Sequence, residues 1–250
     1  MGSSTISLGL GLGGGKSATS SGTAGGGGTP FTNQYSVSFD GTDDYITIPH
    51  NSVFNITGSI TISAWFKLDS NTKYMSFLTK RASGAIAFQF YNTLTGGGFD
   101  GNLRFAPGDG SAYAGSSQIP TGSWNHGAIV VDNNSYTFYL NGSADGTGSL
   151  TLNTTNSADL TIGRLGDTAN YGDGKVDEVA IFNSALSSSD ITAIYNSGAP
   201  ADISSLSPVG WWRMGDGTEA GSGTTVYDMS SNSNNGTLTN GPTFSTDVPS

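Results

Sequence analysis

The chain has 250 residues, of which 38 are glycine, none is cysteine and only 11% are charged. The absence of cysteine excludes disulfides, thiolate zinc sites and thiol nucleophiles. Nine basic residues against 19 acidic ones give a net charge of −10, and with no basic cluster the sequence argues against direct nucleic-acid binding.

Residues 1–33 are rich in Gly, Ser, Thr and Ala and carry one charged residue, Lys16. Ordering a glycine-rich backbone is costly and few side chains are present to offset that cost. We therefore predict an N-terminal arm that becomes ordered only through contacts with other chains. Glycine interrupts every leucine at 8–12, so the pattern predicts neither a classical secretory signal nor a membrane span.

From residue 34 onward, short alternating apolar and polar stretches are separated by Gly, Asn, Asp and Pro, as in half-buried antiparallel strands. The clearest strand segments, in chain order, are 35–39, 46–48, 60–68, 86–90, 103–105, 124–131, 136–140, 160–162 and 176–182. So many short strands predict an all-β sandwich or jelly roll.

One short helix is predicted after the last of these strands. Ser187 is placed to cap it, and Asp190 stands three residues later at capping-box spacing. Gly198 is placed to end it, and residues 199–208 follow as a linker. Its apolar side consists of Leu186, Ile191, Ile194 and Tyr195.

The final segment, residues 209–250, has too few apolar residues to form a core of its own. We predict that it docks on the sandwich as additional edge strands. Trp211 and Met214, or Trp212 in the other strand phase, are expected to face the interior.

Three separated stretches of the chain resemble the laminin G-like, concanavalin A-like jelly-roll family. They are residues 37–49 (VSFDGTDDYITIP), 60–67 (ITISAWFK) and 174–187 (GKVDEVAIFNSALS). The resemblance runs in order through 34–198, which we assign to the jelly-roll domain. It implies a concanavalin A-like sandwich of two curved antiparallel sheets with one short helix.

Residues 210–214 and 221–242 resemble the piece that commonly precedes the first of these stretches in such domains. Here that piece follows the helix instead. The order is that of a circularly permuted jelly roll, or of a domain that exchanges its last strands with a neighbour. Both arrangements are feasible because the chain ends of compact domains often lie close together.

The acidic residues do not show the pair that a retaining glycoside hydrolase needs, about 5 to 5.5 Å apart. Asp177 and Glu178 are adjacent on a predicted strand and are expected to point to opposite sides, and Glu219 lies in a Gly/Ser loop. His50 and His126 have no nucleophile partner at motif spacing, which favours structural roles. We predict no catalytic residues and no enzymatic activity.

A metal-binding site is a more serious possibility than an enzyme active site. Asp177 is expected to share its strand face with Val179 and Ile181, and a buried carboxylate needs hydrogen bonds or a cation. The family resemblance implies a structural calcium held by Asp177 together with the Asp40-Gly41 turn. The other interpretation is that Asp177 caps turn amides without a metal.

For ligand binding, we expect four loops to gather at the ends of the sheets. They carry the tyrosines Tyr74, Tyr91, Tyr113 and Tyr171 beside Asn and Asp residues. Aromatic rings that stack on sugars, next to polar side chains, suit glycan binding.

The resemblance implies a non-enzymatic virion structural, decoration or adhesion protein of the kind found in phages. The arm would then bind capsid or tail proteins or copies of the chain itself, and the jelly roll would touch host glycans at the virion surface. The alternative is a bacterial extracellular carbohydrate-binding protein. A glycoside hydrolase is disfavoured by the missing carboxylate pair.

Overall fold

The computed structural model describes residues 31–96, 99–153 and 155–250. Most of this part of the chain forms short antiparallel strands. In chain order they are β1 (Ser36–Asp40), β2 (Tyr45–Ile48), β3 (Ser59–Leu68), β4 (Ser76–Ala82), β5 (Ala85–Asn92), β6 (Thr95–Gly96), β7 (Phe99–Asp100), β8 (Asn102–Ala106), β9 (Tyr113–Gln118), β10 (Asn125–Asp132), β11 (Ser135–Leu140), β12 (Ser143–Ser149), β13 (Leu160–Ile162), β14 (Asp173–Phe182), β15 (Gly210–Trp212), β16 (Thr225–Val226), β17 (Gly236–Thr239) and β18 (Thr243–Ser245).

The α-helix, α1, spans Ser188–Tyr195 and has the predicted capping box. Asp190 N donates to Ser187 Oγ at 3.2 Å, and Ser187 N donates to Asp190 Oδ2 at 2.9 Å. The helix ends at Asn196, which is left-handed, two residues before the expected Gly198. None of the helices among the described residues is long and apolar enough to span a membrane. Single 3₁₀ turns occur at Ser52–Phe54, Asn196–Gly198 and Ser204–Leu206.

Two eight-stranded antiparallel sheets form the sandwich, which confirms the predicted fold class. The first sheet has the order β12-β11-β10-β3-β14-β1-β18, with β15 also paired to β14. The second sheet has the order β16-β17-β2-β13-β4-β5-β8-β9, and β6 pairs with β7 apart from both.

The core lies between the two sheets and follows the period-2 alternation of their strands. From β3, the residues Ile60, Ile62, Ala64, Phe66 and Leu68 enter it, as the sequence pattern predicts. The second sheet contributes large aromatic and aliphatic side chains that are fully or almost fully buried, among them Ile46, Ile48, Phe77, Phe88, Phe90, Leu103 and Phe105.

The segment 209–250 supplies strands to both sheets. Trp212 pairs with Val179 through β15, and Leu238 pairs with Ile46 through β17. β18 pairs with β1 at the sheet edge. Trp212 and Met214 both lie in the shared core, whereas Trp211 packs on the outer face of the first sheet.

The outer face of the first sheet is covered by a second apolar cluster. Helix α1 contributes Ile191 and Ile194, and Ala180 and Phe182 of β14 lie beneath them. Trp65 of β3 lies on the same face, where Tyr195 of α1 stacks on it at 5.7 Å between ring centroids. This cover leaves the second sheet as the one whose outer face is open to a ligand, within the described part of the chain.

We predict that Trp212→Ala lowers the free energy of unfolding by roughly 3 to 5 kcal/mol, the range for truncating a large core aromatic. Trp212 is fully buried and its indole donates to Asn234 O at 2.9 Å. Urea unfolding followed by tryptophan fluorescence and circular dichroism measures the change. Met229→Ala in the same segment is the control, because Met229 is 44% exposed. Equal effects of the two substitutions would contradict the placement of Trp212 in the core.

Candidate functional site

The candidate site lies on the outer face of the second sheet, where β5 and β8 pair. Phe88 and Phe90 of β5 point into the core, so Gln89 and Tyr91 face outward. Arg104 of β8 lies directly across from Tyr91 in the strand pairing and faces outward with it. The packing of the core therefore places three polar side chains next to one another on the outer face of the second sheet.

These three side chains form part of a cavity of about 570 Å³, which we call the outer cavity. Its volume lies within the range of roughly 300 to 1,000 Å³ that is usual for small-molecule sites. The remaining lining comes from β8 and from three neighbouring segments and consists of Gly84, Ala85, Ile86, Ala106, Gly108, Gly110, Ser111, Ala112, Asn153, Thr155 and Asn156.

The walls of the outer cavity are tied to the sheet by backbone contacts. Gly108 has φ of +82°, and a side chain there would collide with the carbonyl oxygen of Ile86. Asn153 N donates to Pro107 O at 2.9 Å. These contacts require a glycine at position 108 and bring the segment after β12 against the loop after β8.

A buried lysine on β4, Lys80, holds Asn156 in place in the wall of the outer cavity. The Lys80 ammonium donates to Asn55 Oδ1 at 2.7 Å and to Asn156 Oδ1 at 3.0 Å. Asn156 Nδ2 in turn donates to Ala85 O at 3.2 Å. Burial lowers the pKa of Lys80 to about 8. The sequence analysis missed this residue, because nothing local marks a lysine whose partners lie far along the chain.

Gln89 lines the outer cavity and is almost completely buried. It is only 4% exposed, and its Nε2 has no hydrogen-bond partner within the described residues. Among the described residues that line the cavity, Arg104 is the one charged residue and none is acidic.

The structure brings some of the four predicted tyrosines together. Tyr91 lines the outer cavity, and its ring centroid lies 5.9 Å from that of Tyr74. Tyr74 and Tyr171 line a second, smaller cavity of about 210 Å³. Tyr113 lies on β9, not in a loop, and its ring packs against Tyr136 at 5.1 Å. Ligand binding by these residues stays a prediction.

The sequence prediction that Asp177 shares a face with Val179 and Ile181 is wrong, because β14 contains a bulge. The pairing of β14 with β3 shifts register between Asp177 and Ala180, and Glu178 has φ of +47°. The extra residue directs Val179 and Ile181 into the core and leaves Asp177 on the outer face. Asp177 and Glu178 therefore do not point to opposite sides.

Asp177 and Glu178 are buried, and both accept hydrogen bonds from side chains that are distant in sequence. Glu178 accepts hydrogen bonds from Trp211 Nε1 at 2.6 Å and from Arg213 Nε at 2.9 Å. Asp177 accepts one from Asn33 Nδ2 at 3.0 Å. Burial, and next the neighbouring Glu178 carboxyl, raise the pKa of Asp177 well above its ordinary value. These contacts dock the segments around residues 33 and 211–213 on the first sheet.

The three residues proposed for calcium do not meet in one ligand set. Asp40 pairs with Asp173 across β1 and β14. Asp177 lies four residues further along β14, which is about 13 Å at the usual strand rise. The Gly41 carbonyl accepts a hydrogen bond from the Lys73 ammonium at 2.9 Å.

The carboxylate oxygens that lie close to those of Asp40 belong to Asp43 and Asp44, and all three residues have oxygens within 4.8 Å of one another. Asp40 N donates to Asp44 Oδ2 at 3.1 Å, and Thr42 N donates to Asp40 Oδ1 at 2.8 Å. These hydrogen bonds close the turn. Calcium binding, for which the family resemblance named Asp177, Asp40 and Gly41, stays a prediction.

A buried serine and histidine pair lies on the first sheet beneath α1. Ser63 Oγ and His126 Nε2 are 2.8 Å apart, and both residues are buried. The ring of Trp65 covers His126 at 5.3 Å between centroids, and burial lowers the pKa of His126 to about 3. No substrate can reach this hydroxyl, so the pair is structural.

A family model described as the concanavalin A-like lectin/glucanases superfamily, of the laminin G type, matches residues 40–192, which is more than half of the chain. The chain belongs to this superfamily. The match confirms the resemblance seen in the sequence motifs. Comparison with curated protein sequences gives no significant match.

The fold of this chain is similar to those of three proteins of known structure. A candidate carbohydrate-binding protein from Bacteroides ovatus is 22% identical, with a TM-score of 0.69 over 88% of this chain and 62% of its own. A heptameric pentraxin from Limulus polyphemus is 16% identical, with a TM-score of 0.56 over 65% and 82%. The CBM40 of a Ruminococcus gnavus sialidase, bound to α2,3 sialyllactose, is 17% identical, with a TM-score of 0.51 over 64% and 96%.

At these identities the likeness shows the concanavalin A-like fold. The chain spans 62% of the length of the Bacteroides protein, so that neighbour contains additional sequence.

The raised pKa of the buried Glu178 leads us to predict that the stability of the protein depends on pH. Burial raises the pKa of Glu178 in the folded protein to about 7, against an ordinary value of 4.5. Between these values the folded state holds a proton that the unfolded chain has released. The stabilising contribution is therefore fully present below about pH 4.5 and is lost as the pH rises toward about 7.

We expect the melting temperature of the wild type to fall relative to that of Glu178→Gln as the pH is raised through this interval. The paired comparison cancels the contributions of titrating groups away from the pair, such as His126, and reports on Glu178 together with Asp177, whose pKa the Glu178 carboxyl raises. A difference between the two proteins that does not change with pH would contradict the assignment.

Proposed function

We propose that the protein binds a glycan in the outer cavity and does not hydrolyse it. The observation that carries this proposal is a cavity of about 570 Å³ on the outer face of the second sheet, in which the Tyr91 ring lies beside the amide side chains of Gln89 and Asn153. An aromatic ring next to amide groups in a cavity of this size suits a sugar.

The chemistry of the cavity suits a sugar. Tyr91 offers an aromatic surface of the kind on which pyranose rings stack, and Gln89 and Asn153 offer amides for hydroxyl groups. Backbone contacts and the Lys80 ammonium hold the walls in place before binding, which reduces the entropy lost on association.

The comparisons support the same proposal. One neighbour is a candidate carbohydrate-binding protein, and another is a carbohydrate-binding module that holds sialyllactose. Both share the sandwich fold with this chain.

Binding without turnover is supported by the positions of the acids. Within the described part of the chain, no Asp or Glu lines the outer cavity, so these residues offer no carboxylate pair for general acid and base catalysis. Asp177 and Glu178 lie on the other sheet, buried and bonded to Asn33, Trp211 and Arg213.

Two settings accommodate a glycan-binding sandwich of this kind. Display on a virion, through residues 1–33 bound to capsid or tail proteins, is a prediction from sequence, and residues 1–30 lie outside the described residues. A bacterial extracellular carbohydrate-binding protein accounts equally well for the outer cavity.

We predict that Tyr91→Ala weakens glycan binding about tenfold, since stacking on one aromatic ring contributes roughly 1 kcal/mol or more. Binding is first detected on a glycan array with the full chain and then measured by calorimetry. Tyr171→Ala, which alters the second cavity, is the matched control and is expected to bind as the wild type does. A loss caused by Tyr171→Ala but not by Tyr91→Ala would move the site to the second cavity.

A further inference from the structure

The charge of the outer cavity differs from that of the chain as a whole. The protein carries a net charge of −10 and has only four arginines. One of them, Arg104, lines the cavity, and no acidic residue is among the described residues that line it. In a protein with about twice as many acids as bases, a described lining whose one charged group is a cation favours an anionic ligand.

We infer that the glycan bound in the outer cavity is acidic and that its carboxylate is held by the Arg104 guanidinium. This inference rests on the proposed function and names the substrate class of the same site. It adds a specificity-determining residue that sequence analysis did not single out.

The strand register places Arg104 where it can act together with the stacking ring. Arg104 pairs directly with Tyr91 across β5 and β8, and Gln89 pairs with Ala106 two residues along. Residues directly opposite one another in an antiparallel pair have Cβ atoms about 5 Å apart. A sugar ring stacked on Tyr91 therefore has its edge substituents within reach of the guanidinium.

The Arg104 side chain favours a ligand group that accepts hydrogen bonds. A guanidinium has five N–H donors in a planar fork. That fork can bind a carboxylate even when one of its donors also serves a protein partner. A carboxylate accepts hydrogen bonds only, and its two oxygens match the spacing of the fork.

The other arginines lie outside the described lining of the outer cavity. Arg81 forms an ion pair there, with its Nε 3.1 Å from Asp167 Oδ1. Arg164 lies over the ring of Tyr45, with its guanidinium carbon 3.8 Å from the ring centroid, and likewise lies outside the lining. Arg104 is therefore the arginine that the inference singles out.

The test is calorimetry on the full chain with two matched pairs of probes. One pair is trigalacturonate and its methyl ester, and the other is 3′-sialyllactose and lactose. We expect the acidic member of at least one pair to bind about tenfold or more tightly than its neutral partner, the usual scale for a charge-assisted bidentate contact. The pair that shows this preference distinguishes a uronic acid from a sialic acid.

Variants assign the preference to a residue. Arg104→Gln is expected to reduce affinity for the acidic probe to that for the neutral one, while Arg104→Lys keeps part of the preference because it keeps the charge but not the fork. Arg164→Gln is the control and is expected to change neither affinity. Melting curves establish that all three variants are folded.

Three outcomes would overturn the inference. If acidic and neutral probes bind equally and Tyr91→Ala weakens both, the cavity is a glycan site without charge selection, and the proposed function survives alone. If acidic probes are preferred but Arg104→Gln leaves that preference unchanged, the carboxylate is recognised elsewhere. If no glycan binds, on the array or in calorimetry, both the inference and the proposed function fail.

Discussion

The alternation of side chains from Phe88 to Tyr91 on β5, and across Arg104 and Phe105 on β8, is the constraint on which the site depends. Phe88, Phe90 and Phe105 must lie between the sheets, since they are among the largest side chains of the core. The residues next to them are then forced to the outer face, and Gln89 is held there with almost no exposure. A slip of one residue in the register of β5 would turn Gln89 and Tyr91 toward the core and expose Phe88 and Phe90, so the core specifies the position of the site.

The alternation is interrupted in β14, and this interruption shapes the outer face of the first sheet. The bulge at Asp177 and Glu178 places two acids side by side on the outer face of the first sheet. Such a pair is stable only with partners, and Asn33, Trp211 and Arg213 supply them. Segments from both ends of the described chain are thereby docked on the first sheet, while β5 and β8 of the second sheet remain accessible.

Much of the fold could be predicted from sequence because its signals are local. The alternation in β3 and the capping box of α1 both involve residues within a few positions of each other. Of the strands before α1, β4, β6, β7, β9 and β12 were not predicted. β6 and β7 are only two residues long, and the other three were missed for physical reasons. β4 has adjacent core residues, Phe77 and Leu78, which obscure the period, and β9 and β12 consist largely of small and polar residues.

The site was less predictable than the fold. Of the four tyrosines named from the sequence, Tyr91 lines the outer cavity in the structure. Gln89 and Arg104 were not recognised, because an isolated polar residue on a strand resembles any solvent-facing position. The walls of the outer cavity depend on contacts between distant parts of the chain, such as that of Lys80 with Asn156.

The most direct test of glycan binding in the outer cavity is solution NMR of the ¹⁵N-labelled full chain titrated with trigalacturonate and with 3′-sialyllactose. The account predicts that at least one probe shifts the Gln89 side-chain amide and the Arg104 Nε–H signals most strongly; perturbations confined to the second cavity around Tyr74 and Tyr171 would contradict it.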